Sequence, residues 1–129
     1  MLDDANVMVV EDEAMIALDL ATLLQEAGAS VAGPYAEVRR ARKAVTPDLH
    51  AAILDVDLAD GPVIPLADEL RARRIPFLFH TGTPDADALR RRYADVPVLR
   101  KGPSTDEVIA RLGDVIRSAE ASGGGRGRA

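Results

Sequence analysis

The chain has 129 residues, 47% of them hydrophobic, enough for one domain with an ordinary core and too few for two. Its net charge of -5 argues against a duplex nucleic-acid binder, whose phosphate contacts need a basic face. There is no cysteine, which excludes disulfides and thiolate metal sites, and no apolar stretch approaches the roughly 18 residues of a membrane span. Asp3 and Asp4 stand where a signal peptide would carry Lys or Arg. A soluble, cytoplasmic protein is expected.

Apolar runs alternate with helix-like segments. Residues 7–10 (Val-Met-Val-Val) read as a strand. In residues 13–27, Ile16, Leu20, Leu23, Leu24 and Ala27 recur at helical spacing, and Gly28 supplies a stop. Residues 30–35 read as a weaker strand, softened by Gly33 and Pro34, and residues 36–45 as a short basic helix closed by Pro47. Residues 51–54 (Ala-Ala-Ile-Leu) form the central strand. Gly61, Pro62 and Pro65 delay the next helix to residues 65–73. Residues 76–80 are a strand, Thr83-Pro84-Asp85 starts a helix, and Arg90, Arg91 and Arg92 complement its last turn. Residues 96–99 are the fifth strand. Ser104-Thr105-Asp106-Glu107 fits a capping box ahead of a helix that buries Val108, Ile109, Leu112, Val115 and Ile116. The tail, residues 122–129, holds Gly and Arg with no apolar content and is expected to be disordered. Five strand–helix units imply an α/β, doubly wound parallel sheet with helices on both faces and its site at the strand carboxyl ends.

Four of these strands end in polar chemistry. Glu11 and Asp12 follow the first, Asp55 the third, Thr81 the fourth and Lys101 the fifth. Singly, each has an ordinary explanation as a helix cap, a turn former or a solvated charge. Together, on parallel neighbouring strands, they converge. Asp55 can act as a carboxylate nucleophile that takes a phosphoryl group. A divalent cation, magnesium or manganese, would offset the charge. Asp12 and Asp55 would be direct ligands, Glu11 would act through a water, and the backbone carbonyl of Asp57 would complete the set. Lys101 and the Thr81 hydroxyl would meet phosphoryl oxygens. His50 and His80 lack ligand-spaced partners and are read as packing or surface residues, His80 remaining close enough to Thr81 to tune the site.

The pattern Val9-Val10-Glu11-Asp12-Glu13, then Ile53-Leu54-Asp55-Val56-Asp57-Leu58, then Thr81-Gly82, then Lys101 resembles the receiver domain of two-component response regulators over about residues 3–120. The resemblance implies a flavodoxin-like strand order 2-1-3-4-5 and phosphoryl donation to Asp55 by a histidine kinase or histidine phosphotransfer protein. It also implies Thr81 as the switch hydroxyl and Lys101 as the signature lysine. Residues 1–121 would be the receiver and residues 122–129 a flexible tail. There is no room for a DNA-binding module, so a stand-alone, monomeric or weakly dimeric protein that signals through protein contacts or relay is expected. It would not be an enzyme beyond weak self-catalysed phosphotransfer and dephosphorylation.

Two departures stand out. Val98 occupies the position of the usual fifth-strand aromatic, and Lys101-Gly102-Pro103 interrupts the usual Lys-Pro. Residues 76–82 are similar to the Phe-x-Phe-Ala-Thr-Gly signature of an alphaproteobacterial subgroup, with His80 in place of Ala. Two other functions fit parts of the chain: a phosphorylation-independent interaction module, and a small phosphohydrolase using Asp55-Val56-Asp57.

Overall fold

A computed structural model of the chain describes residues 2–82, 86–102 and 105–121. The elements in order are β1 (Asn6–Val10), α1 (Ala14–Glu26), β2 (Ser30–Tyr35), α2 (Val38–Lys43), β3 (Ala51–Leu54), β4 (Asp57–Leu58), β5 (Gly61–Pro62), α3 (Ile64–Ala72), β6 (Phe77–Thr81), α4 (Asp87–Arg92), β7 (Val98–Arg100) and α5 (Asp106–Ala121). The main sheet has the order β2-β1-β3-β6-β7, and every pair in it is parallel. This is the flavodoxin-like order expected, with β6 and β7 as the fourth and fifth strands.

The step from β1 to β2 crosses the sheet in one direction, and the later crossovers run in the other. Right-handed connections then place α1 and α2 on opposite faces. The core divides accordingly. Met8, Val10, Ala52, Leu54, Phe77 and Phe79 face Val38 and Ala41 of α2, Leu66 and Leu70 of α3 and Leu89 of α4. Val7, Val9, Ala51, Ile53 and Leu78 face Leu20 and Leu24 of α1 and Leu112 and Ile116 of α5. Because both faces are covered, β1, β3 and β6 are apolar almost throughout instead of alternating. In α1 and α5, Ile16, Leu23, Ile109 and Val115 are only half-buried at the flanks of the apolar stripe. Gly28 follows α1 at φ +97°, where a Cβ would run into Asp3.

Several boundaries differ from the sequence reading. β7 begins at Val98, because Pro97 has no N–H to enter a ladder, although its carbonyl accepts from Phe79 N at 2.9 Å. A small antiparallel hairpin, β4–β5, stands where only a delay was expected. Its turn residue Asp60 acts at a distance, its carboxylate accepting from the amides of Val38 (2.7 Å) and Arg39 (3.0 Å). Glu37 precedes α2 and makes no side-chain cap, so Asp60 caps that helix from 22 residues away. The expected helix start at residues 83–85, Ser104 of the capping box and the tail lie outside the described residues. Thr105 donates instead to Asp19 at 2.6 Å, tying the head of α5 to α1.

The arginines at the ends of α3 and α4 are exposed but paired, Arg71 with Asp95 and Arg92 with Asp68. They flank the buried ring of Tyr93, which also meets Phe77 and Phe79 edge-on or tilted. The exposed ion pairs are solvated and screened by salt, and add little. The Tyr93 hydroxyl donates to Asp68 at 2.6 Å. Tyr93→Phe is expected to lower stability by about 1–2 kcal/mol, the net worth of a bond to a charged acceptor, read from urea unfolding. An unchanged midpoint would show that water replaces the bond.

Candidate phosphoacceptor site

Three parallel strands end at one edge of the sheet, and their last hydrogen bonds set the site. Asp55 N donates to Val10 O (2.8 Å), Glu11 N to Tyr35 O (2.8 Å) and Lys101 N to Thr81 O (2.8 Å). Each loop thus stays in sheet register for one residue beyond its strand, and the side chains turn inward side by side.

Lys101 is the hub. Its Nζ donates to Glu11 Oε2 (2.9 Å), Glu13 Oε2 (2.6 Å) and Asp55 Oδ2 (3.0 Å), which uses all three ammonium protons. Asp55 Oδ1 accepts from the amide of Val56 at 2.7 Å, and Glu11 Oε2 accepts a second bond from Glu13 N at 3.1 Å. Glu11 Oε1 is buried with no hydrogen-bond partner. Oxygens of Glu11, Asp12, Glu13 and Asp55 lie within 4.8 Å of one another. Four carboxylates therefore surround one ammonium. That imbalance, together with an orphaned buried oxygen, suits a divalent cation bound by carboxylates and water.

The structure brings Glu11, Asp12, Asp55 and Lys101 together. Thr81 ends β6 at the same edge, buried. Asp57 begins β4 and is exposed. Glu13 belongs to the acidic sequence motif but has no role assigned to it there. A signal for it exists in the chain, a third acidic residue at a strand-to-helix turn too tight to carry it away. His80 is buried, not on the surface, and both of its ring nitrogens lack partners. His50 is a structural residue whose Nδ1 accepts from Asn6 N at 2.9 Å.

The electrostatics follow. Burial pushes the Glu11 carboxyl up to about 7; the bonds from Lys101 and from the Glu13 amide pull it down, and Asp55 pushes it up again. Asp12 is raised by partial desolvation and by Asp55. Burial works against the Lys101 ammonium, but the bonds to Glu13, Glu11 and Asp55 outweigh it, and its pKa is raised. One ammonium serves three carboxylates, so Lys101 gains more than Glu11 recovers. Burial and the Lys101 charge hold His80 below its usual range.

Glu11 thus keeps its proton to higher pH in the folded than in the unfolded chain, where 4.5 is usual. Between those values the native state holds more protons, and stability falls as pH rises. Asp60, Asp68 and Asp95 are shifted downward, so their contribution is complete below that window. His80, held below its usual 6.5, works the other way up to that value, so the net loss of the metal-free protein is expected above it, about 1 kcal/mol between about pH 6.5 and about pH 8, and magnesium should abolish most of that loss. Chemical denaturation at both pH values measures it; a flat profile would mean that Glu11 is not strained.

No protein-family profile matches the chain, and no curated protein sequence does. Solved structures do. SdrG from Sphingomonas melonis Fr1 is 34% identical, with 88% of this chain and 97% of that one covered and a TM-score of 0.74. The non-phosphorylated HemR receiver domain from Leptospira biflexa is 24% identical over 88% of this chain and 94% of that one, with a TM-score of 0.76. The response regulator TrrA from Thermotoga maritima, in complex with magnesium and beryllofluoride, is 20% identical over 86% and 98%, with a TM-score of 0.74. This chain belongs to one family with SdrG and has the receiver fold. In the receiver fold of this chain, the acidic cluster stands at the carboxyl ends of β1 and β3, and β7 delivers Lys101. Among the described residues no helix is long and apolar enough to cross a membrane.

Proposed function

We propose that this chain is a response regulator receiver that accepts a phosphoryl group on Asp55. The observation that carries the reading is the convergence on Asp55: a buried carboxylate bonded to Lys101 at 3.0 Å amid three further acidic groups. An Asp55 oxygen attacks the phosphorus of a phosphohistidine. The phosphorus–nitrogen bond breaks, its electrons return to the imidazole, and an acyl phosphate forms. Asp12, Asp55, the Asp57 carbonyl and, through water, Glu11 would hold magnesium or manganese. That ion, when bound, offsets the charge of both reactants. Lys101 and the Thr81 hydroxyl orient phosphoryl oxygens.

The donor is a sensor histidine kinase or a histidine phosphotransfer protein, met in the cytoplasm by a monomer or weak dimer. Met15 and Leu18 are exposed on α1, the helix that follows Glu13, and offer such a donor apolar contact. Residues 1–121 form the receiver, residues 122–129 a tail. The signal passes through Thr81 and Lys101 to the face of residues 83–120, by protein contact or relay. Phe77, Phe79, Thr81 and Gly82 support kinship with the alphaproteobacterial subgroup, which also tends to lack the aromatic missing at Val98.

Incubation with a small phosphodonor and magnesium, followed by mass mapping, should yield one stoichiometric adduct on Asp55. Beryllofluoride with magnesium should then move amide signals across the face of residues 83–120. An adduct elsewhere would overturn the assignment, and sustained turnover of a phosphomonoester would favour a phosphohydrolase.

A further inference from the structure

Among the described residues, the buried side-chain atoms without hydrogen-bond partners are Glu11 Oε1 and the two ring nitrogens of His80. Both residues flank Asp55. The pair Val10–Leu54 puts Glu11 beside Asp55 one residue on, and the pair Leu54–Phe79 puts His80 on the other side of Asp55. Strand alternation turns these three toward the face of Val9, Ile53 and Leu78, the side of α1 and α5. Across β6 and β7, His80 pairs with Leu99, and Lys101 follows two residues later on that face. The charges acting on the imidazole are those of Lys101, Asp55 and Glu13.

A fully buried imidazole with neither nitrogen paired is unfavourable, and an aliphatic side chain in that position would avoid the penalty. The arrangement is therefore poised for a second state. In the state seen here, every Lys101 proton is given to a carboxylate. With Asp55 phosphorylated and its neighbouring carboxylates holding a cation, the ammonium would be free to leave these bonds. We propose that His80 is a positioning residue for Lys101, its imidazole nitrogen accepting a hydrogen bond from the displaced ammonium and holding it toward the phosphoryl group on Asp55. Burial keeps His80 neutral, so one nitrogen retains its lone pair. The inference rests on the phosphoacceptor reading and adds a residue to it.

The test uses the full chain labelled with ¹⁵N, with magnesium and beryllofluoride as a stable phosphoryl mimic. The His80 ring nitrogens should shift when both are added, and the Lys101 ammonium should become visible in its ¹⁵N–¹H correlation. His80→Leu should keep the fold and the magnesium affinity, lose the ammonium signal and bind beryllofluoride about tenfold more weakly. His80→Gln, which retains an acceptor, should recover part of that loss. Unmoved ring nitrogens, while amides at Asp55 and Thr81 respond, would overturn the role of His80 and leave the acceptor site standing. So would unchanged beryllofluoride affinity in His80→Leu. If no signal responds in any variant, the phosphoacceptor reading falls together with it.

Discussion

Asp55→Asn is expected to abolish phosphoryl transfer and beryllofluoride binding while leaving the fold as stable as before, or more stable. The loss of function follows because an amide oxygen is a poor nucleophile and a poor cation ligand. The stability result follows from counting charges. Asp55 has one ammonium at 3.0 Å, but oxygens of three other carboxylates lie within 4.8 Å. At an effective dielectric of about 20, a pair of unit charges at such separations interacts by several kcal/mol. Removing the Asp55 charge deletes one attraction and three repulsions. The asparagine oxygen can still accept from Val56 N, as Asp55 Oδ1 does at 2.7 Å. Phosphodonor labelling and urea unfolding should therefore move apart: no adduct, and a midpoint at or above the wild-type value. Retained labelling would place the acceptor elsewhere. A large loss of stability would mean that Asp55 serves the fold first.

The opposite substitution has the opposite sign. Lys101→Met keeps most of the stem and removes the ammonium that three carboxylates share. Breaking such a pair while leaving its partners buried destabilises a fold by about 3 kcal/mol. Glu11 is the group left worst placed, since it is buried and already strained upward. The variant should therefore be weakened in the absence of metal, and more so as pH rises. Magnesium should bind it more tightly than wild type, because the ammonium no longer competes for Glu11 and Asp55. Added magnesium should then restore most of the lost stability through mass action. Urea unfolding at two pH values with and without magnesium, alongside calorimetric titration, reads all four effects. Equal metal-free stability would show that the ammonium is a bystander, and unchanged magnesium affinity would show that it does not occupy the cation's place.

The two substitutions act on one cluster in opposite directions and should not be additive. In the double variant, the asparagine relieves part of the repulsion that the methionine exposes. Its stability should lie above that of Lys101→Met alone.

Much of this was legible along the chain. Unbroken apolar runs at residues 7–10 and 51–54 marked strands covered on both faces, because only such strands can be apolar on every residue. Their polar endings, Glu11-Asp12 and Asp55, marked the functional edge, because a carboxylate at the end of a buried strand needs a partner. Lys101 was legible for the same reason. Boundaries were less so: Pro97 shortened β7 from within, and the β4–β5 hairpin is held by only two residue pairs.

What the linear order determined by itself was therefore the sheet, its two covered faces and the edge at which the chemistry stands. These depend on hydrophobic period and on the residue that ends each run, both of which are local. What only the tertiary structure decided were the partnerships between distant residues. Asp60 caps α2 from another loop, Glu13 joins the ammonium of Lys101 across 88 residues, and His80 is left buried beside Asp55 without a partner. A hydrogen bond depends on separations of a few ångströms, and only strand register, set by the whole sheet, brings such residues within that range.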